Sequence, residues 1–231
     1  MQAAVLEGAA AAGAKLIAME NLYMYGSTDG RPITEDLPHA PNTRKGRVRA
    51  MMSQELMEAH TSGRVRVAIG RASDFFGPRV LASAAGEQVF GRAVEGKSAQ
   101  IAGDPDQPHT YTYAPDIGKG LVILGEREEA LGQAWHLPNP ETVTTREFVE
   151  MIFEEVGKPA RIQVAPKILL RAIGLFNPGI RETIEMLYEF EEPFVVDDSR
   201  FEREFGEHAT PLGEAIQRTV RGYREERPAG T

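Results

Sequence analysis

The sequence contains no cysteine. That excludes disulfides, thiolate metal sites and a cysteine nucleophile, and it fits a reducing cytoplasm. No apolar stretch approaches the ~18 residues that a membrane span needs. The opening "MQAAVLEGAAAAGAKLIAM" lacks a basic leader and carries Glu7 inside its apolar part, unlike a secretory signal. A surplus of basic residues is missing too. The 26 Lys and Arg against 34 Asp and Glu leave a formal charge of −8, the wrong balance for a general nucleic-acid binder. The five histidines (His39, His60, His109, His136, His208) show no metal-ligand spacing, and each reads as a surface or turn residue. Asp104 and Asp106 suit a tight turn better than a calcium loop. What is present is an ordinary globular composition, 42% hydrophobic and 26% charged over 231 residues, enough for one large domain or two small ones.

The first half alternates helix and strand. "QAAVLEGAAAAG" reads as a helix ending at Gly13, and "AKLIAM" (14–19) as a buried strand. A Gly- and Pro-punctuated loop spans 20–42. A helix runs from about Thr43 to His60, and "RVRVAIG" (64–70) is a second buried strand. This order without hairpin signals predicts an α/β fold: a parallel sheet with crossover helices. Further on, "SAAGEQVFGRAVEG" (83–96) reads as a helix. "SAQIAG" and "HTYTYA" flank the turn "DPDQP". "PDIGKGLVILGE" has Pro at a helix start, and "QAWHLP" is a third core strand. Thr144 with Glu147, and Ser199 with Glu202, have capping-box spacing. A last helix over about 211–226 buries Ile216, Val220 and Tyr223. The expected organisation is a sheet-based unit over 1–157 with interleaved segments of the second lobe, and a smaller, mainly helical lobe over 158–231.

"NTRKGRVRAMM" (42–52) gathers Arg44, Lys45, Arg47 and Arg49 at the start of one helix. At 100° per residue, Val48, Met52, Leu56 and Ala59 form an apolar stripe, with Lys45 and Arg49 on it and Arg44 and Arg47 off it. Two cations therefore face the sheet side near the helix N-terminus. Such a cation needs a partner. It snorkels, it pairs within the protein, or it lines a ligand site at the carboxyl edge of the parallel sheet. The strand "AKLIAM" runs into "ENLYMYG". If the backbone stays extended there, Asn21, Tyr23 and Tyr25 share one face, and Gly26 lets the chain turn. Half-buried packing tyrosines are the plainer alternative.

These segments resemble the NAD-dependent epimerase/dehydratase family, the extended short-chain dehydrogenase/reductases. "AAAAGAKLIAMENLYMYG" is similar to the family's strand ending in Ser-Ser-x-x-x-Tyr-Gly. "PITEDLPHAP" resembles its Thr-Glu-Asp-x-Pro loop, and "GRASDFFGP" its Arg-x-x-Asn-x-Tyr-Gly-Pro turn. "HTYTYAPDIGKGLVIL", "TTREFVEMIFEEVGKP" and "DDSRFEREFGEHATPLGEAI" resemble later segments in the same order. The resemblance implies a partial Rossmann-like parallel sheet, NAD or NADP as cofactor, and a small-molecule substrate such as a sugar nucleotide. It implies no nucleic-acid or membrane partner and leaves a homodimer open. The family's Gly-x-x-Gly-x-x-Gly fingerprint has no counterpart here. The resemblance therefore also implies a chain that begins inside the family's sheet, without the turn that holds the cofactor diphosphate.

Aligned on these motifs, Asn21 takes the position of the family's catalytic Ser or Thr, Lys45 that of its Tyr, and Arg49 that of its Lys. The resemblance assigns Arg49, Ala72 and Ser73 to the cofactor and Asp74 to the substrate, although Asp74 also suits a turn. Arg49 offers a planar fork of donors for ribose hydroxyls. Tyr23 and Lys45 are the candidate proton carriers. Three functions remain open: an NAD(P)-dependent epimerase, dehydratase or reductase; a non-catalytic nucleotide-sensing or interaction protein of the same fold; or an inactive fragment.

Overall fold

The computed structural model describes residues 1–166 and 184–226. Helix α1 (Gln2–Ala12) ends at Gly13, whose φ of 62° lets its N–H turn back onto the carbonyls of Ala10 and Ala9. Strand β1 (Lys15–Glu20) follows. Helix α2 (Arg44–Thr61) starts at Thr43, whose hydroxyl accepts the Gly46 N–H. It leads into β2 (Arg66–Arg71). Strand β3 (Asp74–Phe76), the short helix α3 (Arg92–Glu95), β4 (Ala99–Ile101), β5 (Pro108–His109) and β6 (Tyr111–Tyr113) come next. Helix α4 (Ala114–Glu126) has Pro115 in its first turn, where no backbone donor is needed. Then come β7 (Ala134–His136), β8 (Val143–Thr144), α5 (Thr145–Val156), β9 (Ile162–Val164), α6 (Ser199–Phe205) and α7 (Leu212–Glu226).

Strands β1, β2 and β7 form a parallel sheet in that order, with Leu16 opposite Val67 and Ile69 opposite Ala134. Alternation along β2 divides its side chains between two layers. Val67 and Ile69 bury with Leu6, Leu56 and Ala59 of α1 and α2. Ala68 buries with Ile117 and Leu124 of α4 and Phe201 of α6. Helices thus cover both faces, the arrangement that parallel strands require. Beyond this sheet, β3 pairs with β6 and β4 with β9, both parallel, and β5 pairs antiparallel with β8. A third core joins Phe76, Phe90, Tyr113, Phe148 and Phe153 to Ile216, Val220 and Tyr223 of α7. Elements on both sides of residue 157 share this core. Part of the expected second lobe, 167–183, lies outside the described residues.

Several sequence expectations need correction. The chain does not stay extended after β1. It folds into a 3-10 turn over Tyr23–Tyr25, so Tyr25 leaves the face of Asn21 and Tyr23. Gly26 ends the turn with φ 68°, and a Cβ there would lie 2.3 Å from the Ala40 carbonyl oxygen. On α2 the buried line runs through Gly46, Ser53, Leu56 and Ala59, and Val48 is exposed. The stripe is rotated because Gly46 packs against the Tyr23 carbonyl of the turn and Ser53 against Arg71 of β2. The segment 83–96 is not one α-helix: Gly86–Gly91 form π-type turns before α3. Ser199 is the first residue of α6 and makes no capping box. Asp197 Oδ1 accepts its N–H at 2.9 Å instead. His109 and His136 are buried, not surface or turn residues.

Candidate active site at the carboxyl edge of the sheet

Strands β1 and β2 end side by side, with Glu20 opposite Arg71 in register. Both side chains are buried and ion-paired, Arg71 Nε lying 3.2 Å from Glu20 Oε2. The same guanidinium donates to Tyr25 Oη and to Ser53 Oγ (2.8 Å), and faces His39 Nε2 at 3.2 Å. Tyr25 Oη in turn lies 3.1 Å from His136 Nε2. Burial raises the pKa of the Glu20 carboxyl despite Arg71 beside it. Burial likewise raises that of Tyr25, and it lowers that of His39 with help from Arg71. This network ties the two strand ends together just before the residues at issue, Asn21 after β1 and Ala72–Asp74 after β2.

Those residues surround a small hollow of about 100 Å³, lined by Asn21, Leu22, Tyr23, Ala72, Ser73, Asp74, Glu189 and Phe194 among others. Asn21 Oδ1 accepts the Tyr23 N–H at 3.4 Å, which fixes the amide at the start of the turn. Ser73 is buried. Its hydroxyl donates to the Thr110 carbonyl at 2.5 Å and its N–H to Thr112 Oγ1 at 3.1 Å, so its polar groups already have protein partners. Asp74 Oδ2 lies 3.0 Å from His109 Nε2. The His109 ring stacks on Phe190 and Phe194. Its Nδ1 lies 3.2 Å from the Glu189 carbonyl oxygen.

Lys45 and Arg49 are both half-buried, whereas Arg44 and Arg47 are exposed. Neither Lys45 nor Arg49 lines the hollow itself. Arg49 is near enough to Tyr23 to favour the ionised phenol, and Lys45 near enough to Glu189 to favour the carboxylate. Both effects are outweighed. Burial, followed by Glu189 and Asp74, raises the Tyr23 pKa, leaving the phenol a donor. The start of α2 is also engaged. Glu185 Oε1 accepts the N–H groups of Arg44 and Lys45, which docks the 184–190 segment onto the helix N-terminus.

That segment carries a residue the sequence did not single out. Glu189, in the 3-10 turn Leu187–Phe190, is only 2% exposed. Its Oε1 has no hydrogen-bond partner among the described residues, and neither has Tyr188 Oη. Burial drives the Glu189 pKa well up and Asp74 adds to this, against Tyr188 and Lys45. The neighbouring Leu187 and Phe190 line a larger, mostly apolar cavity of about 370 Å³ with Tyr111 and Phe148. In "LYEFEEPF", nothing separates Glu189 from the half-buried acids that follow it except its place between two aromatics. Among the described residues no cluster of His, Asp and Glu could hold a metal ion. None of the described helices is long and apolar enough to cross a membrane.

A parallel sheet covered on both faces, with polar side chains gathered where two adjacent strands end, defines a Rossmann-like protein with a candidate site at the sheet's carboxyl edge. The model of the NAD dependent epimerase/dehydratase family matches residues 1–137, more than half of the chain, and the chain belongs to that family. It is 22% identical over 205 residues to a dTDP-glucose 4,6-dehydratase from Streptomyces griseus, covering 88% of this chain and 57% of the relative. It is 29% identical over 118 residues to UDP-glucuronic acid decarboxylase 1 from Arabidopsis thaliana, covering 48% and 25%. Among solved structures, the Bacillus cereus UDP-glucuronic acid 4-epimerase with UDP-glucuronic acid and NAD superposes with a TM-score of 0.78 at 18% identity. The match covers 97% of this chain and 66% of that one. The dTDP-glucose 4,6-dehydratase DesIV from Streptomyces venezuelae, with NAD bound, gives 0.74 at 20% identity, covering 98% and 65%. The chain thus spans about 57–65% of the length of these dehydratases.

Proposed function

We propose that this protein is an NAD(P)-dependent oxidoreductase or isomerase of the epimerase/dehydratase type that acts on a sugar nucleotide. The observation that carries this reading is the convergence of Asn21, Tyr23, Ala72, Ser73 and Asp74 on one hollow where β1 and β2 end, with Lys45 and Arg49 of α2 beside it. The dehydratase and decarboxylase relatives are named for such reactions on dTDP- and UDP-sugars, and the two solved relatives hold NAD.

The donor chemistry fits the nicotinamide end of a dinucleotide. Arg49 offers a fork of donors to ribose hydroxyls, and Lys45 offers an ammonium. The hollow is smaller than the ~300 Å³ at which small-molecule sites usually begin. It suits one functional group, not a whole dinucleotide, and the sequence has no glycine turn for the diphosphate. When bound, the nicotinamide supplies hydride acceptor and donor chemistry. The chain's own part is to orient and to move protons. Asn21 offers an amide to a substrate oxygen. Tyr23, with its raised pKa, stays protonated and donates. Asp74, braced by His109, accepts from a sugar hydroxyl.

A second reading rests on one feature. The positions aligned with the family's catalytic Tyr and Ser or Thr hold Lys45 and Asn21, which suits nucleotide binding without turnover. The test uses protein from the complete reading frame, with NAD(H) or NADP(H) followed by melting temperature, and with dTDP- and UDP-sugars followed by NMR. Binding with conversion of a sugar is expected. Binding without conversion selects the second reading, and no binding of either cofactor refutes both.

A further inference from the structure

Glu189 is buried in the lining of the hollow, with Tyr188 the neighbouring hydroxyl that favours its carboxylate and with no well-aligned hydrogen-bond partner for its Oε1 among the described residues. A buried polar atom without a partner is costly, and folded proteins rarely keep one without a use for it. The groups that act on this carboxyl, or that it acts on, come from several elements: Asp74 on β3, Lys45 on α2, Tyr23 after β1, and Tyr188 on its own turn. His109 contacts the Glu189 backbone carbonyl with one ring nitrogen and the Asp74 carboxylate with the other. It therefore positions two acids at one hollow. Asp74 is the like charge that most disfavours ionised Glu189 after burial itself.

We infer that Glu189 is a further proton-transfer residue of this site, whose carboxyl donates a hydrogen bond, and in turnover its proton, to an oxygen of the bound nucleotide sugar. The inference rests on the nucleotide-sugar reading for the ligand, but the state of the carboxyl is a property of the protein alone. In the transfer, the carboxyl O–H bond breaks with its electron pair left on Glu189. A new O–H bond forms on a lone pair of the substrate oxygen, and the reverse transfer restores the acid.

The test compares wild type with Glu189→Gln and Glu189→Asp by difference infrared spectroscopy at neutral pH, with and without dTDP-glucose as probe. Gln is isosteric with the neutral acid, so its fold should hold, and melting temperature checks this. A protonated-carboxyl stretch present in wild type, absent in Glu189→Gln and shifted by the probe is expected. Alongside it, kcat should fall about 100-fold or more in Glu189→Gln with KM changed only a few-fold, and Glu189→Asp should recover part of the loss. No such band in wild type, or the same band in Glu189→Gln, overturns the inference whatever the substrate. A band that stays still while the probe binds, or full turnover by Glu189→Gln, overturns it and leaves the functional reading standing. A wild type that neither binds nor converts the probe while keeping the band overturns dTDP-glucose as ligand, and with it the assigned contact.

Discussion

Replacing Arg71 by methionine tests the physical basis of the site. Arg71 and Glu20 are 4% and 5% exposed in their side chains and 3.2 Å apart. At an effective dielectric near 20, two unit charges at that distance attract by about 5 kcal/mol. Removing one partner of a buried pair costs about 3–5 kcal/mol, because the other charge stays behind. Tyr25 and Ser53 also lose a donor. Glu20 can relieve part of this by taking a proton, since burial already raises its pKa. A carboxyl whose folded pKa is raised favours folding below its unfolded pKa, and that contribution is lost as pH rises through the folded value. In Arg71→Met the folded pKa of Glu20 rises further. The loss should therefore approach ~3–5 kcal/mol at mildly alkaline pH and shrink in acid. Urea unfolding at the two pH values, with unchanged m, measures it. The double variant Arg71→Met with Glu20→Leu should recover most of the loss. A loss under about 1 kcal/mol, the size of an ordinary surface change, or one independent of pH, would refute the account.

Two further outcomes follow from the same geometry. Asp198, whose pKa burial pushes up from 3.8 to about 6, contributes stability in acid that is lost as pH rises through about 6. Asp198→Asn should flatten the dependence of melting temperature on pH across that window, and an unchanged slope would count against it. Gly103 sits at φ 83°, and a Cβ there would lie 2.3 Å from the Phe190 carbonyl oxygen. Gly103→Ala should therefore destabilise the chain by roughly 1–3 kcal/mol and displace the turn that carries Glu189, visible as a lower melting temperature together with weaker ligand binding.

Much of the frame was legible one element at a time. Gly13, Thr43, Pro115, and Thr144 with Glu147 mark helix ends by local chemistry. The apolar run at 64–70 forms the largely buried β2, but the run at 14–19, expected to be buried, forms the half-buried end strand β1 with Met19 exposed. Helical spacing alone separates half-buried Lys45 and Arg49 from exposed Arg44 and Arg47. Spacing did not place the buried line of α2, because the close packing of Gly46 and Ser53 is set by what lies opposite them. Nor did alternation survive past β1, where Tyr25 turns to meet Arg71 and His136, partners 46 and 111 residues away.

The sequence by itself determined most of the longer helices and the main parallel strands, since periodicity and capping are local properties, but not the 3-10 turn at Tyr23–Tyr25 or the π-type turns at Gly86–Gly91. It also carried the order of motifs that marks the family. Tertiary structure alone decided which charges are buried together. Glu20 meets Arg71 only because two strands align in register. Glu189 reaches the hollow of Asn21 and Asp74 only because a distant turn docks against α2 through Glu185. Burial and neighbouring charge set the state of an acid, and both come from residues far apart in the chain.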